Sequence, residues 1–334
     1  MRLPATAIFV ILSILIVVLF AVDMATGTSN IPLSDVWAAL SGGDCPDITK
    51  KIILNIRLLK AVAALVVGVA LSVSGLQMQT LFRNPLAGPY VLGISSGAGL
   101  GVALFILGAP ILGLTGNAIF STIGLAGSAW IGSALVLLVI AAVSRRIKDI
   151  MVILILGMMF GSGISAIVQI LQYMSDETSL KAFVIWTMGS LGDITQTQLM
   201  LLIPAVFLGL LLSIIIIKPL NLLLLGENYA RTTGVNIGKS RLIIFLSTTL
   251  LAGTVTAFCG PIGFIGLAVP HVARLIFANA DHRILMPGAA LTGAVVMLLC
   301  DIISKMLTLP INSICALLGI PIVVWVVIRN KSIA

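Results

Sequence analysis

The amino-acid sequence predicts an all-α, polytopic membrane protein with about ten transmembrane helices, and three features of its composition indicate this fold class. Among its 334 residues, 60% are hydrophobic, which is more apolar surface than one water-soluble core hides. Only 9% are charged, whereas an ordinary soluble domain has roughly 25%. The apolar residues form long runs instead of alternating with polar ones, which argues against an outer-membrane barrel.

The predicted spans follow from the length of these runs, because a helix that crosses the hydrocarbon core needs about 20 apolar residues. The candidate segments are 5–22, 57–78, 91–109, 118–143, 150–171, 198–217, 242–258, 262–278, 284–304 and 311–328. The connections between them are short, so residues 1–334 are interpreted as a single transmembrane domain. The first segment also resembles a signal sequence, but its apolar run is long and lacks a clear A-x-A cleavage site, which favours a retained span. The eighth segment is expected to kink or break, because it contains Pro261, Pro270 and three glycines.

The net charge of +8 predicts an orientation, because membrane proteins keep Lys and Arg in their cytoplasmic loops. Nucleic-acid binding is the less common cause of such a charge in so apolar a chain. If both termini are cytoplasmic, 13 of the 19 basic residues fall on the cytoplasmic side: Arg2, Arg83, Arg145, Arg146, Lys148, Lys218, Arg231, Lys239, Arg241, Arg274, Arg283, Arg329 and Lys331. The sequence therefore predicts a multi-pass membrane protein with both termini in the cytoplasm.

The remaining six basic residues are predicted to be external: Lys50, Lys51, Arg57, Lys60, Lys181 and Lys305. Four of these six lie within residues 50–60. Two interpretations stay open for this cluster. It anchors the chain to membrane lipid headgroups, or it docks an acidic external partner.

The longest predicted cytoplasmic connection, residues 219–241, is not a plain linker. Its residues 227–233 are predicted to form a short helix, with Glu227 favoured near the positive N-terminal end and Gly234 as a stop. Such a helix is suited to docking a cytoplasmic protein, and an interfacial helix without a partner is the alternative. Residues 234–240 resemble a P-loop but are one residue short between the glycines and lead into a span. ATP is therefore expected to bind to a separate subunit.

No arrangement of residues in the sequence indicates catalysis. The spacing of Ser, His and carboxylate residues suggests neither a catalytic triad nor a carboxylate pair, and the two histidines and four cysteines form no metal-binding pattern. His271 with Arg274 is interpreted as a structural or headgroup contact. Asp301 is expected to pair with Lys305 one helical turn away. The chain is thus predicted to be neither an enzyme nor the holder of a cofactor or metal.

Three segments carry a resemblance to a known family. Residues 83–98 read RNPLAGPYVLGISSGA, residues 225–235 read LGENYARTTGV, and residues 260–283 read GPIGFIGLAVPHVARLIFANADHR. In this order they resemble the FecCD family, the permease subunits of type II ABC importers for iron–siderophore complexes, haem and vitamin B12. The resemblance runs from about residue 52 to the end of the chain.

The resemblance implies a location in the cell inner membrane, a fold of ten transmembrane helices and several partners. Two permease subunits, here a homodimer, form the path between them, a cytoplasmic ATPase binds the loop after helix six, and a periplasmic binding protein delivers the substrate. An iron–siderophore is the first choice of substrate, with haem and vitamin B12 still open. The implied ATPase-coupling residues are Gly226, Glu227, Ala230, Arg231 and Gly234. The implied docking residues are Arg57, Lys60 and Lys305. The resemblance favours helix five and the final helix as walls of the path without singling out residues, and Gly161, Ser162 and Gly163 are the candidate pathway residues on helix five.

The chain departs from the family pattern at several of these positions. Gly88 stands where the family often has an acidic residue, so no acidic role is assigned there. Lys60 and Lys305 replace arginines, and Leu59 replaces a proline. Lysine keeps the positive charge but lacks the bidentate fork of arginine, so weaker or more salt-sensitive docking is expected.

Glycines at four-residue spacing are interpreted as packing positions, because small residues let helices approach closely. They are Gly93, Gly97 and Gly101 in the third span and Gly157 and Gly161 in the fifth. Two other hypotheses are kept beside the importer permease: an ion-coupled secondary transporter and a structural membrane subunit. An ion-coupled transporter needs acidic or histidine residues inside its spans, and the predicted spans contain few of them.

Overall fold

The computed structural model describes residues 4–27, 31–43, 45–108, 122–147 and 149–329, and every regular element within these ranges is helical. The helices are α1 (Ala5–Ala25), α2 (Leu33–Ser41), α3 (Asp47–Ile52), α4 (Leu58–Leu81), α5 (Ile94–Ala103), α6 (Thr122–Arg146), α7 (Ile150–Met174), α8 (Glu177–Thr187), α9 (Gln196–Ile215), α10 (Ile217–Leu224), α11 (Glu227–Thr232), α12 (Ile237–Thr248), α13 (Thr254–Cys259), α14 (Ile265–Phe277), α15 (His282–Leu307) and α16 (Ile311–Arg329). Wider π-helical turns join α3 to α4 at Ile53–Arg57, follow α5 at Leu104–Gly108 and join α12 to α13 at Thr249–Gly253. A 3₁₀ turn, Pro89–Leu92, precedes α5. Arg2, Lys148, Lys331 and the start of the predicted span 118–143 lie outside the described residues.

The all-helical prediction is confirmed. Seven continuous helical stretches of the described chain are long and apolar enough to cross a membrane. Three shorter apolar stretches, Ile94–Gly108, Ile265–Phe277 and Ile311–Val326, coincide with the third, eighth and tenth predicted spans. Because these three fall short of the usual length of about 20 residues, the count of ten crossings stays a prediction.

The second stretch begins earlier than its predicted span. Helix continues without interruption from Asp47 to Leu81. The basic cluster at residues 50–60 therefore lies on a helix that continues into the membrane-spanning segment, and its side chains are held by helical geometry instead of by a loop.

The predicted break in the eighth segment is confirmed. Helix α13 ends at Cys259 and α14 begins at Ile265, and Gly260 and Phe264 between them have φ angles of +73° and +64°. The Gly263 amide donates to the Asn312 side chain of α16 at 2.9 Å. Buried irregular backbone is stable only where other parts of the protein satisfy its polar groups, and here α16 does so.

Helices α4 and α15 form the antiparallel centre of the fold. Contacts at three levels define the pair: Lys60 with Asp301 at one end, Gly68 against Gly293 in the middle, and Thr80 with His282 at the other end. A Cβ atom on Gly68 would overlap the carbonyl oxygen of Gly293, so the two backbones touch here. The Lys60 end is predicted to be external and the Thr80 end cytoplasmic.

A buried polar cluster ties two further helices to α4. The Gln77 side-chain amide of α4 donates to the hydroxyl groups of Ser213 in α9 and Ser247 in α12, the latter at 3.1 Å. The two hydroxyl groups are 2.9 Å apart. Each polar atom that leaves water in this cluster gains a protein partner, which makes its burial tolerable.

The packing interpretation of the glycines is confirmed for α5. Cβ atoms on Gly97 and Gly101 would meet the carbonyl oxygens of Gly132 and Ser128 in α6. Gly93 also ends the 3₁₀ turn with a φ angle of +76°, and a Cβ there would lie 3.3 Å from the Gly157 carbonyl oxygen of α7. The close approach of α5 and α6 therefore depends on the absence of side chains at Gly97 and Gly101.

Replacing Gly101 with Val is expected to lower the melting temperature of the detergent-purified protein by several degrees, because overpacking a tight contact costs about 1–3 kcal/mol. Gly99 is the matched control, since a Cβ there meets no atom within 4 Å. Equal melting temperatures for Gly101→Val and Gly99→Val would show that the α5–α6 contact tolerates a side chain.

Candidate functional site

A cluster of charged side chains lies at the predicted external end of the α4–α15 pair. Lys60 Nζ is 3.2 Å from Asp301 Oδ1, and Lys305 Nζ is 2.8 Å from Asp301 Oδ2. Lys305 Nζ also contacts Asp23 Oδ2 of α1 at 2.7 Å. The predicted pairing of Asp301 with Lys305 is confirmed. The structure thus brings together Lys60 and Lys305, two of the three predicted docking residues, and pairs them with two carboxylates.

The two carboxylates of this cluster are fully buried, whereas the side chains of Lys60 and Lys305 are 20% and 8% exposed. Buried carboxylates are costly unless they are paired, and the lysines supply that pairing. Sequence reasoning missed Asp23. It lies just beyond the predicted span 5–22 and is the single charged residue of α1, and a lone charge at the end of an apolar run indicates a partner on another helix.

Arg57, the third predicted docking residue, has a structural contact. It is only 4% exposed, and its Nη1 donates to the carbonyl oxygens of Met24 and Ala25 at 2.9 and 2.8 Å. These carbonyls end α1 and have no partner within that helix. A positive charge at a helix C-terminus is favourable, so Arg57 stabilises the end of α1. The docking role predicted for Arg57 competes with this contact.

A cavity of about 590 Å³ opens beside the charged cluster. Its lining includes Arg57, Lys60 and Lys305 among mostly apolar residues such as Ile56 and Leu309, and it includes neither Asp23 nor Asp301. The cavity is therefore lined by the basic side chains, while the carboxylates that balance them lie behind the surface.

The predicted coupling residues lie in the connection 219–241, which contains most of helix α10, all of α11 and the start of α12 along the chain. Gly226 separates α10 from α11 with a φ angle of +113°, and Gly234 follows α11 with a φ angle of +87°. The prediction of a short helix that Gly234 stops is confirmed, with α11 ending at Thr232. Ala230 is fully buried and fixes α11 against the rest of the protein.

An ion pair that the sequence did not predict anchors α11 to α12. Arg241 Nη2 lies 2.5 Å from Glu227 Oε1, and Arg241 is 4% exposed. Arg231 is 3.9 Å from the same carboxylate, and its side chain is half exposed. Glu227 therefore positions α11 against α12. The side chains of Arg231 and Tyr229 are half exposed and form the accessible surface of α11.

The P-loop-like residues 234–240 lead into α12, with residues 234–236 before the helix and residues 237–240 in its first turn. The Asn236 side chain accepts a hydrogen bond from the Lys239 amide at 3.0 Å, which is an ordinary helix N-cap. Gly238 and Lys239 belong to the first turn of this helix. This geometry differs from the open glycine-rich loop that cradles phosphate groups.

The coupling helices contact the predicted cytoplasmic end of the α4–α15 pair. Asn221 of α10 lies 2.7 Å from His282 Nδ1, and His282 Nε2 lies 2.9 Å from Thr80 Oγ1. The Asn221 amide also donates to Asp281 at 2.6 Å. Hydrogen bonds from the Arg283 backbone amide and from Asn221 hold the pKa of Asp281 below its ordinary value, so this carboxylate stays ionised near neutral pH. A chain of polar contacts thus links α10 to both central helices.

The predicted pathway helix, α7, borders a groove of about 520 Å³. Gly161 and Ser162 line this groove together with Ser96, Ser165 and Gln169. Gly163 is not part of the lining, and a Cβ there meets no atom within 4 Å. The lining mixes polar residues with apolar ones such as Val91 and Met158 and carries no charge, which permits contact with a solute without an ionic attachment.

Comparison with known proteins gives consistent matches along nearly the whole chain. Residues 14–329 match the FecCD transport family. The chain is 39% identical over 324 residues to the hemin transport system permease protein HmuU of Yersinia pestis, covering 93% of each chain. It is 35% identical over 326 residues to the vitamin B12 import system permease protein BtuC of Shigella boydii, covering 96% of this chain and 94% of BtuC. A solved structure described as an inward-facing conformation of a metal-chelate type ABC transporter matches with a TM-score of 0.82 and 31% identity, covering 97% of this chain and 99% of that one.

Proposed function

Because the chain belongs to the FecCD transport family, we propose that it is the permease subunit of a type II ATP-binding-cassette importer. The protein is a multi-pass inner-membrane protein, and in this proposal both of its termini are cytoplasmic. A periplasmic binding protein delivers the substrate to the external face, and a separate cytoplasmic ATPase supplies the energy. Residues 1–334 act as one transmembrane domain in this assembly.

One observation carries the proposal: a single pair of helices contacts both predicted partner sites. The basic cavity lies at the Lys60–Asp301 end of α4 and α15, and α10 bonds to the Thr80–His282 end through Asn221. A movement of α10 and α11 that an ATPase drives would therefore reach helices that extend to the external docking site. Packed helices and chains of hydrogen bonds of this kind carry energetic coupling between distant sites.

A second copy of the chain completes the path in this proposal. The groove along α7 is open on one side and its exposed lining residues include Ser162 and Gln169. Exposed polar positions on a membrane-spanning helix favour a water-filled cavity or a protein partner over lipid. A homodimer would place the two α7 grooves across one central conduit.

We propose a bulky metal chelate as the substrate, with a tetrapyrrole-type ring as in haem or vitamin B12. The similar permeases HmuU and BtuC are named for hemin and vitamin B12, and the similar solved structure is described as a metal-chelate transporter. The uncharged groove supports this substrate class, because a large molecule passes most easily through a conduit that binds it weakly. An iron–siderophore, which the family resemblance made the first choice of substrate, is the alternative that the test compares with haem and vitamin B12.

The direct test is uptake into liposomes that contain the full-length permease with its ATPase and that are supplied with its binding protein. ATP supplied on the side of the membrane where the ATPase binds is expected to drive uptake of haem or cobalamin in preference to a ferric siderophore. Collapse of the proton and sodium gradients is expected to leave the rate unchanged. Uptake that persists without the ATPase and stops when the gradients collapse would establish the ion-coupled transporter instead.

The buried carboxylates do not by themselves favour ion coupling. Asp23 and Asp301 are the acidic groups that an ion-coupled mechanism would need inside the protein, but both contact Lys305. A carboxylate neutralised by a permanent lysine partner has a structural reason to be buried.

A further inference from the structure

A second basic cavity lies at the predicted cytoplasmic end of the protein, between the end of α4, helix α10 and helix α14. Its volume is about 320 Å³, and its polar lining consists of Gln79, Thr80, Arg83, His271 and Arg274. The lining contains no carboxylate. Two guanidinium groups thus share one small cavity without an acidic residue in its wall.

Arg274 is a partly buried cation whose charge is not balanced within the described ranges of the chain. Its Nη1 donates to the Gln79 side-chain oxygen at 2.5 Å, but none of the ion pairs of the described residues includes Arg274. A neutral amide satisfies one donor of the guanidinium and leaves its charge uncompensated. Removing such a charge from water is unfavourable unless an anion accompanies it.

Arg83 reaches the same cavity from a backbone conformation that non-glycine residues seldom adopt. Its φ angle is +47°, directly after the last turn of α4, where the Asn84 amide bonds to the Gln79 carbonyl oxygen at 3.2 Å. Glycine is the usual residue at such a left-handed helix end. This left-handed turn ends α4 beside the cavity, and Arg83 is part of the cavity lining.

The cavity wall is held in place before any ligand enters. The His271 ring Nε2 lies 2.7 Å from the carbonyl oxygen of Pro85, which ties the segment after Arg83 to α14. Gln79 in turn bonds to Arg274 and to the Leu267 carbonyl oxygen, the latter at 3.0 Å. These contacts hold Arg274 and the backbone next to Arg83 in place, so binding of a ligand costs little conformational entropy.

We propose that this cavity binds a phosphate-type oxyanion between Arg83 and Arg274. Arginine suits such a ligand, because its planar group of donors matches the oxygen atoms of a phosphate. The phosphate can belong to an anionic lipid headgroup or to a soluble ion. Exposed apolar residues adjoin the cavity, Leu86 in the segment after Arg83 and Leu275 and Ile276 directly after Arg274, and they favour the lipid as the source. This inference does not depend on the cargo or on the ATPase and binding-protein partners proposed above.

The test uses the full-length protein in neutral detergent and measures its melting temperature with three probes: phosphatidylglycerol, phosphatidylcholine and inorganic phosphate. Phosphatidylglycerol is expected to raise the melting temperature and phosphatidylcholine to do so far less, because a ligand that binds the folded state stabilises it. Arg83→Gln and Arg274→Gln are each expected to weaken the apparent affinity for phosphatidylglycerol on the order of tenfold or more. Arg283→Gln, an exposed position outside the cavity at the same end of the protein, is the matched control and should retain the shift.

The possible outcomes distinguish the sources of the phosphate. A shift with inorganic phosphate that Arg83→Gln removes, without a preference between the two lipids, would identify a soluble ion as the ligand. Equal shifts for both lipids with no response to phosphate, or shifts that survive Arg83→Gln, would overturn the proposal. If Arg274→Gln fails to fold because Gln79 loses its partner, the exposed Arg83 still decides the result. If no phosphate probe binds but Arg83→Gln weakens association with the ATPase, the cavity receives a protein side chain and the proposal is wrong.

Discussion

ATP-driven uptake is expected to fall by more than about tenfold when Arg231 is replaced by Glu, because a reversed charge at a protein interface costs several kcal/mol. Arg231 is half exposed on α11, and its 3.9 Å contact with Glu227 is long for an ion pair. In the proposed assembly α11 is the surface that the ATPase contacts. Co-purification of the ATPase with the permease, measured beside the uptake rate, separates lost association from lost coupling.

Two control variants make the Arg231 experiment specific. Arg283→Glu reverses an exposed charge in the first turn of α15, at the same end of the protein, and should leave uptake nearly unchanged. Glu227→Gln removes the carboxylate that anchors Arg241, so it should lower both uptake and the melting temperature. If Arg231→Glu leaves uptake and ATPase association intact, α11 is not the coupling surface and this part of the proposed function fails.

Docking of the binding protein is expected to weaken about tenfold at low salt when Lys60 is replaced by Gln. Lys60 lines the external cavity and keeps a partly exposed ammonium group, so its charge is available to an acidic partner. Added salt should reduce the difference between the variant and the unmodified protein, because exposed charges are screened. Affinity of the purified binding protein for the full-length permease in nanodiscs, titrated at several salt concentrations, measures the effect.

Neighbouring positions provide the comparison for Lys60. Lys51→Gln removes an exposed charge of the same cluster that does not line the cavity, and it should change the affinity much less. Asp301→Asn releases Lys60 from its counter-ion and should strengthen docking. Equal effects of Lys60→Gln and Lys51→Gln would indicate a diffuse electrostatic attraction without a site at the cavity.

Lys305 and Arg57 are less suitable for that experiment because the structure gives each of them a folding role. Lys305 neutralises two fully buried carboxylates, so Lys305→Gln is expected to lower stability before docking is measured. Arg57→Glu would place a carboxylate against the carbonyl oxygens that end α1. Both residues stay predicted docking residues, but Lys60 tests the prediction with the smallest change to the fold.

Features that depend on neighbouring residues in the chain could be predicted from the sequence. Apolar runs predicted the helices, Glu227 and Gly234 marked the two ends of α11, and the glycines and prolines after Cys259 predicted the break. Asp301 and Lys305 were predicted to pair because one helical turn separates them. Backbone preferences and helical periodicity act over a few residues, so local patterns contain this information.

Contacts between distant segments could not be predicted in the same way. The carbonyl oxygens that Arg57 binds lie 32 and 33 residues earlier in the chain, and Asp23 lies 282 residues from Lys305. The pattern of charges predicted an external basic cluster at residues 50–60, but it gave no sign that two carboxylates lie buried behind Lys60 and Lys305. Which residues meet depends on how the helices rotate and pack against each other.

The charged residues of this protein show most clearly which features local sequence determines and which features depend on the tertiary structure. Its composition was sufficient to predict a helical membrane protein, and its motifs were sufficient to predict the family to which it belongs. Only the packing of α1, α4 and α15 determined that Lys60 and Lys305 face a cavity with their counter-ions behind them. In the same way, only the meeting of α4, α10 and α14 placed Arg83 and Arg274 in one cavity. Helix formation follows from local energies, whereas the partner of a buried charge is selected by the whole fold, because burial is what makes an unpaired charge unfavourable.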